Sequence, residues 1–350
     1  MARFKYLVLA LCCSVAAAPE IASAQLPELR FQTGGLDIRL QGGVGVQGAV
    51  IDDDRRSTPK SGDNVDIFAR LNAEYTTKGG TLIGVNVEQS NSGRETETLN
   101  TGEIYGFVAS DFGRIEVGRQ DGPADVLAFH APQVGLGQIR GDFSRYAGTQ
   151  ALLSALDTRD AFKVIYLSPP VSGFRGGISY SPKVKQNEDA TNPRSRTIVN
   201  NAIELGLQFQ QPIGSWILGV SGGYAFGKAD AITTRADLNS FSLGLEARKG
   251  PLRLGLAVVD RGDSNRLTRG FNQREINGGV AWVKDNWGAS VSVARTTAST
   301  ETNRLIGIGG FYSVTPNIQL RADIVNFREN DRNNRIDKGT VGVLELQLSI

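Results

Sequence analysis

The chain has 350 residues, and its 42 glycines are about one residue in eight, against about 7 % in average proteins. Charged residues make up 21 % and hydrophobic ones 40 %, which excludes both a disordered chain and a stack of membrane helices. Cys12 and Cys13 are the only cysteines and His130 is the only histidine, so thiol catalysis, cysteine or multi-histidine zinc sites and a disulfide framework are excluded as well.

The first segment reads as an export signal. Arg3 and Lys5 form a positive start, residues 6–18 are an apolar run too short to span a bilayer, and Ala22-Ser23-Ala24 offers cleavage before Gln25. The expected organisation is therefore a signal peptide over 1–24 and one domain over 25–350. Removing Arg3, Lys5 and Glu20 takes the formal net charge from +2 to +1. A nearly neutral exported chain lacks the concentrated basic surface that nucleic-acid binding needs.

Beyond it, the dominant signal is apolar/polar alternation with period two, the mark of strands with one apolar and one polar face. In chain order the pattern predicts strands at 35–51, 66–77, 81–89, 103–112, 114–120, 161–168, 174–182, 200–211, 215–228, 237–249, 251–260, 274–284, 287–297, 304–315, 318–328 and 339–350. Leu252, Leu254, Leu256 and Val258 alternate with Arg253, Gly255 and Ala257, and Leu344, Leu346, Leu348 and Ile350 with Glu345, Gln347 and Ser349. Prolines fall in loops, at turns or at strand ends, where no ladder partner is orphaned.

Connections alternate in length. Residues 78–80, 113, 169–173, 212–214, 250, 284–286 and 316–317 are tight; 52–65, 90–102, 120–160, 183–199, 261–273 and 329–338 are long. Trimming one end of every hairpin and elaborating the other is the pattern of an outer-membrane barrel. About sixteen strands enclose an aqueous bore. In hydrocarbon such a sheet must close on itself, with apolar faces outward. The inward set then includes Asp37, Arg39, Gln41, Arg70, Asn72, Glu74, Glu204, Gln208, Glu246, Arg248, Arg253, Arg321 and Asp323, which suits a wet lumen. Trp216, Tyr224, Phe226, Trp282, Trp287, Phe311 and Tyr312 near strand ends are expected in interfacial girdles. A soluble sandwich shows the same alternation and is the alternative fold.

The stretch Asp111-Phe112-Gly113-Arg114-Ile115-Glu116-Val117-Gly118-Arg119-Gln120 resembles the turn-strand segment of Gram-negative general diffusion porins that leads into their long third loop. Asp121-Gly122-Pro123 and a loop to about Asp160 follow here in the same order. The resemblance implies an all-β, sixteen-stranded antiparallel transmembrane barrel in the bacterial outer membrane, usually a homotrimer, with the third loop folded into the lumen. It implies passive passage of ions and small hydrophilic solutes, with no cofactor, no metal and no enzymatic activity, and contact with outer-membrane lipid and lipopolysaccharide. It also implies a constriction between a basic wall (Arg39, Arg70 and Arg119) and loop acids (Asp121, Asp125 and Asp142). Arg119 shares parity with Ile115 and Val117, so its entry into the lumen calls for a nearby bulge. The family ends in an aromatic residue where this chain ends in Ile350.

Three other features have a functional and a plainer reading. Asp52-Asp53-Asp54 could hold a divalent cation, but Arg55-Arg56 beside it favours a solvated mixed-charge loop. Lys183, Lys185, Arg194 and Arg196 could touch lipopolysaccharide phosphates or simply be soluble surface. The rival functions are a channel specific for one solute class and an exported β-rich binding or structural protein without a pore; an outer-membrane hydrolase built on His130 ranks last.

Overall fold

The computed structural model describes residues 27–54, 59–91, 100–155, 157–185, 196–232, 235–264, 266–267, 270–299, 301–330 and 335–350. The expected signal peptide over 1–24, Arg55-Arg56 and Arg194 lie outside the described residues. A short strand β1 (Leu29–Thr33) is followed by β2 (Leu36–Asp53), β3 (Ser61–Thr76), β4 (Leu82–Ser90), β5 (Asn100–Ser110), β6 (Gly113–Arg119), β7 (Phe162–Leu167) and β8 (Phe174–Lys185). The second half contains β9 (Thr197–Ile213), β10 (Trp216–Ala229), β11 (Leu238–Lys249), β12 (Leu252–Gly262), β13 (Gln273–Lys284), β14 (Trp287–Ala298), β15 (Glu301–Thr315), β16 (Ile318–Asn330) and β17 (Ile336–Ser349).

Every consecutive pair from β2 to β17 is antiparallel, and β17 returns to β2 in the register Gly339↔Asp53 through Ser349↔Gly43. Ile350 extends the seam by exchanging backbone hydrogen bonds of 2.9 and 3.0 Å with Gly42. The result is a closed barrel of sixteen strands, so its ladder has no open edge. No helix among the described residues is long and apolar enough to cross a membrane; spanning falls to the strands.

The alternation read from the sequence becomes two faces. Leu254, Leu256 and Val258 point outward and are 37, 41 and 43 % exposed, whereas Ala257 and Val259 between and beyond them are fully covered. On β14, Val291 and Val293 face out while Ser290 and Ser292 are buried. Large apolar groups on the outside and small or polar ones within invert a soluble barrel, and exclude a sandwich with a dry apolar centre.

Three details differ from the sequence reading. Strand β1 pairs Leu29–Thr33 with Leu36–Leu40 across Gly34-Gly35, whose φ values of 54° and 88° suit the tight hairpin that such a Gly-Gly step favours. Strands β3, β15 and β17 begin three to five residues earlier than predicted, at Ser61, Glu301 and Ile336. Apart from Val65 and Ile336 their added residues are polar or glycine, because the ladder continues beyond hydrocarbon into water. Phe311 is no girdle residue: it is buried against Val134, Ala281 and Val283.

Candidate channel constriction

Between β6 and β7 the chain spends residues 120–161 on a segment that lies against the small, polar face of the barrel. Pro123 opens a one-turn helix, Pro123–Val126, consistent with its fixed φ at the first helical position. The segment then crosses successive strands along glycines. A side chain at Gly206 would collide with the Pro123 carbonyl, at Gly223 with Ala124, at Gly244 with the Phe129 carbonyl and at Gly255 with the His130 carbonyl. One glycine on each of β9 to β12 thus makes a groove for the loop backbone.

Polar side chains of the wall satisfy that backbone. Phe129 N–H donates to Ser221 Oγ at 2.7 Å, and Ala131 N–H to Asn277 Oδ1 at 2.9 Å. Leu136 and Gln138 N–H donate to the two oxygens of Asp323 at 3.1 and 2.6 Å. Thr158 N–H donates to Glu204 Oε1 at 2.7 Å. Farther along, Ile139, Phe143, Ala147 and Leu153 of the loop pack with Leu305, Val325, Phe327 and Val341 of the wall into an apolar cluster. The loop is therefore attached by both hydrogen bonds and burial. Glu204 and Asp323, expected to face water, are instead covered acceptors for loop amides, 0 and 2 % exposed, because buried N–H groups need partners.

The three arginines do not converge on one cluster. Arg39 lies near the short-turn end of β2 and pairs with Glu74 at 2.6 Å, donating also to Asn72 at 3.0 Å. Arg70 pairs with Glu88 across β3 and β4 at 2.6 Å. Arg119 stands opposite Ile104 and Phe162, two outward residues, and its Nε donates to the Asp160 carbonyl at 3.2 Å. The pairing of β6 with its neighbours has no register shift there.

The loop acids divide into two groups. Asp121 and Asp125 meet Asp157, with carboxylate oxygens within 4.8 Å of one another, and Asp125 accepts from the Ser154 hydroxyl. Burial, then the charges of Asp125 and Glu204, push the Asp157 carboxyl up to about 7. Burial and the neighbouring Asp157, Asp125 and Asp160 also raise Asp121 well above the ordinary carboxylate range. Asp142 belongs elsewhere: Gln47 Nε2 touches it at 2.5 Å, Asp66 at 2.9 Å and Glu345 at 2.7 Å. Arg145 lies 2.9 Å from Asp66 and 3.6 Å from Asp142, and Arg321 pairs with Glu345. Arginines face the acids of the second group, whereas in the first burial and mutual repulsion raise Asp121 and Asp157.

Asp157 and Asp160, with Arg140 and Arg159, were missed by sequence reading. Arg140 and Arg159 are exposed, the first within electrostatic reach of Asp157 and the second of Asp160. The run Asp157-Thr158-Arg159-Asp160 just before β7 was the available signal. Burial holds the His130 imidazole below its usual pKa, and Nδ1 donates to the Ala131 carbonyl at 2.9 Å. Asp53 accepts from Lys60 Nζ at 2.5 Å and Asp54 lies 3.9 Å from Lys338, a mixed-charge loop base.

A closed sixteen-stranded ring, apolar outside and polar within, defines an outer-membrane channel. The chain belongs to the Gram-negative porin family, whose model matches residues 7–332, and as such it is a channel for diffusion of solutes across the bacterial outer membrane. Solved structures share the fold at low identity. The outer membrane channel DcaP of Acinetobacter baumannii is 12 % identical, with 91 % of this chain and 99 % of that one covered and a TM-score of 0.65. The anion-selective porin from Comamonas acidovorans is 14 % identical over 90 % of this chain and all of its own, with a TM-score of 0.60. A porin refined at 1.8 Å is 15 % identical over 89 % and 100 %, with a TM-score of 0.61. Among curated proteins, none matches the chain in sequence.

Proposed function

We propose that residues 121–160 narrow the lumen and set which ions and small hydrophilic solutes pass, without catalysis. The observation that carries this reading is the glycine-lined path of the loop along the inner face, with Asp323 and Glu204 accepting its amides. The charged groups at the narrowing are Asp121, Asp125, Asp157 and Asp160 on one side of the reckoning and Arg140 and Arg159 on the other; Arg70 joins through Glu88, Arg39 belongs to the short-turn end, and Arg119 acts through the Asp160 carbonyl. Opposed charges across a narrow bore order water and disfavour apolar solutes.

Three further parts of the reading go with it. Export follows the 1–24 signal, the working unit is a homotrimer as family membership suggests, and the basic loop of Lys183, Lys185, Arg194 and Arg196 meets lipopolysaccharide phosphates. Single-channel recording in planar bilayers tests the core of the proposal. Stepwise ohmic conductance is expected; a folded, heat-modifiable preparation that gives no steps overturns it.

A further inference from the structure

At the long-loop end of β12, a cavity of about 420 Å³ opens between that strand, the tip of the inner loop near Thr149 and the ends of β15 and β16. Its size is that of a small-molecule site. Arg261 lines it, turned inward where the β12–β13 register shifts between Asp260 and Gly262. Its Nε is buried without a hydrogen-bond partner, and among the described residues no carboxylate stands within ion-pair distance of its guanidinium. A second guanidinium, that of Arg266, lies 4.2 Å over the Phe271 ring and donates to Gln273 Oε1 at 2.9 Å. Arg261 is within electrostatic reach of both Arg266 and Arg159, with Glu275 as the acid in range. Glu275 is engaged by the Thr296 hydroxyl, and Glu301 and Glu329 on the far rim have contacts of their own.

A guanidinium whose Nε is covered and unpaired, with Glu275 beyond ion-pair distance, is expensive to maintain. Here it faces open, polar space, and its planar donors match the two oxygens of a carboxylate or phosphate better than a spherical ion. We propose that this cavity is a binding subsite for a small oxyanionic solute, a carboxylate or phosphate, held by Arg261 before it passes the narrowing. The inference rests on the channel reading and names the solute class that the path favours. Thr149 and Asn303, already hydrogen-bonded to one another, fix the wall opposite the arginines, so the subsite is preformed by the inner loop.

The test uses the whole barrel in planar bilayers. Inorganic phosphate and potassium acetate, added separately from the long-loop side to a chloride solution, should each reduce chloride current saturably, and Arg261→Gln should weaken that block about tenfold. Phosphate block without acetate block assigns the site to phosphates, and the reverse assigns it to carboxylates. Block of equal strength in wild type and Arg261→Gln, or no block by either anion in a conducting wild-type channel, overturns the subsite. Absence of conductance altogether sinks the channel reading instead. Should Arg261→Gln fail to show heat-modifiable migration, wild-type protein still decides: phenylglyoxal labelling of Arg261, followed by mass spectrometry, should slow in phosphate or acetate, and unchanged labelling rejects the proposal.

Discussion

Asp157 shows how burial redistributes charge in a lumen that composition alone describes as neutral. Asp125 and Asp121 face it from the loop's beginning, Arg140 from the loop's middle, Lys163 from β7 and Glu204 from β9. Desolvation and the nearby acids outweigh Lys163 and Arg140, so the carboxyl titrates near 7. Raising the pH through that value adds negative charge beside the path. The reversal potential in a potassium chloride gradient should therefore move toward cation selectivity between about pH 6 and 8, and Asp157→Asn should shrink the step. A step of the same size in the variant would mean that Asp157 does not face the permeating ions. The stability effect has the opposite sense to that of a salt-bridged acid. A carboxyl whose folded pKa is raised stabilises the fold fully below its ordinary pKa and loses that contribution as pH climbs through about 7.

At the scale of elements, β-strands were legible because their period-two pattern repeats at every crossing, and the paired turns mark where the chain reverses. The loop path was not legible, because it depends on residues that share no sequence neighbourhood. Gly206, Gly223, Gly244 and Gly255 are spread over four strands, and only barrel register brings them into one groove. Asp323 is the sharpest case: its strand parity was read correctly, but its partners, the amides of Leu136 and Gln138, lie 187 and 185 residues away. Two hydrogen bonds, each contributing about 0.5–1.5 kcal/mol, should be lost in Asp323→Ala. The barrel ladder does not use this side chain, so the variant should retain heat-modifiable migration while the inner loop becomes cleavable by added protease and single-channel conductance rises. A protected loop with unaltered conductance would show that the apolar cluster around Ile139 and Phe143 suffices to hold it. Arg119 marks the other limit of sequence reading. The residue stretch predicts its strand, but its guanidinium direction is set at the β6 end by the Asp160 carbonyl, which no local pattern encodes.

For the whole molecule, the bilayer supplies the frame in which the outer face is stable. Trp282 pairs with Leu252 near one end of β12, and Phe241 with Asp260 near the other. Eight residues at about 3.3 Å each, tilted by about 40°, separate these aromatic levels by about 20 Å, close to the apolar band of outer-membrane barrels. Leu256 lies midway, faces outward and pairs with Leu245 and Gly278. Leu256→Arg should therefore place a charge near the hydrocarbon centre at a cost of about 2–4 kcal/mol, and Leu254→Arg, nearer the Trp282 level, should cost less. Arg253 belongs to the opposite face, within electrostatic reach of Glu246 and Arg248, so Arg253→Leu should insert almost normally and change ion selectivity instead. The measurement is the fraction of heat-modifiable protein recovered in outer membranes for the three variants. A loss ordered Leu256→Arg, then Leu254→Arg, then Arg253→Leu fits lipid outside and solvent inside; equal losses at Leu256 and Arg253 would reverse or erase the assigned faces, and with them the water-filled path.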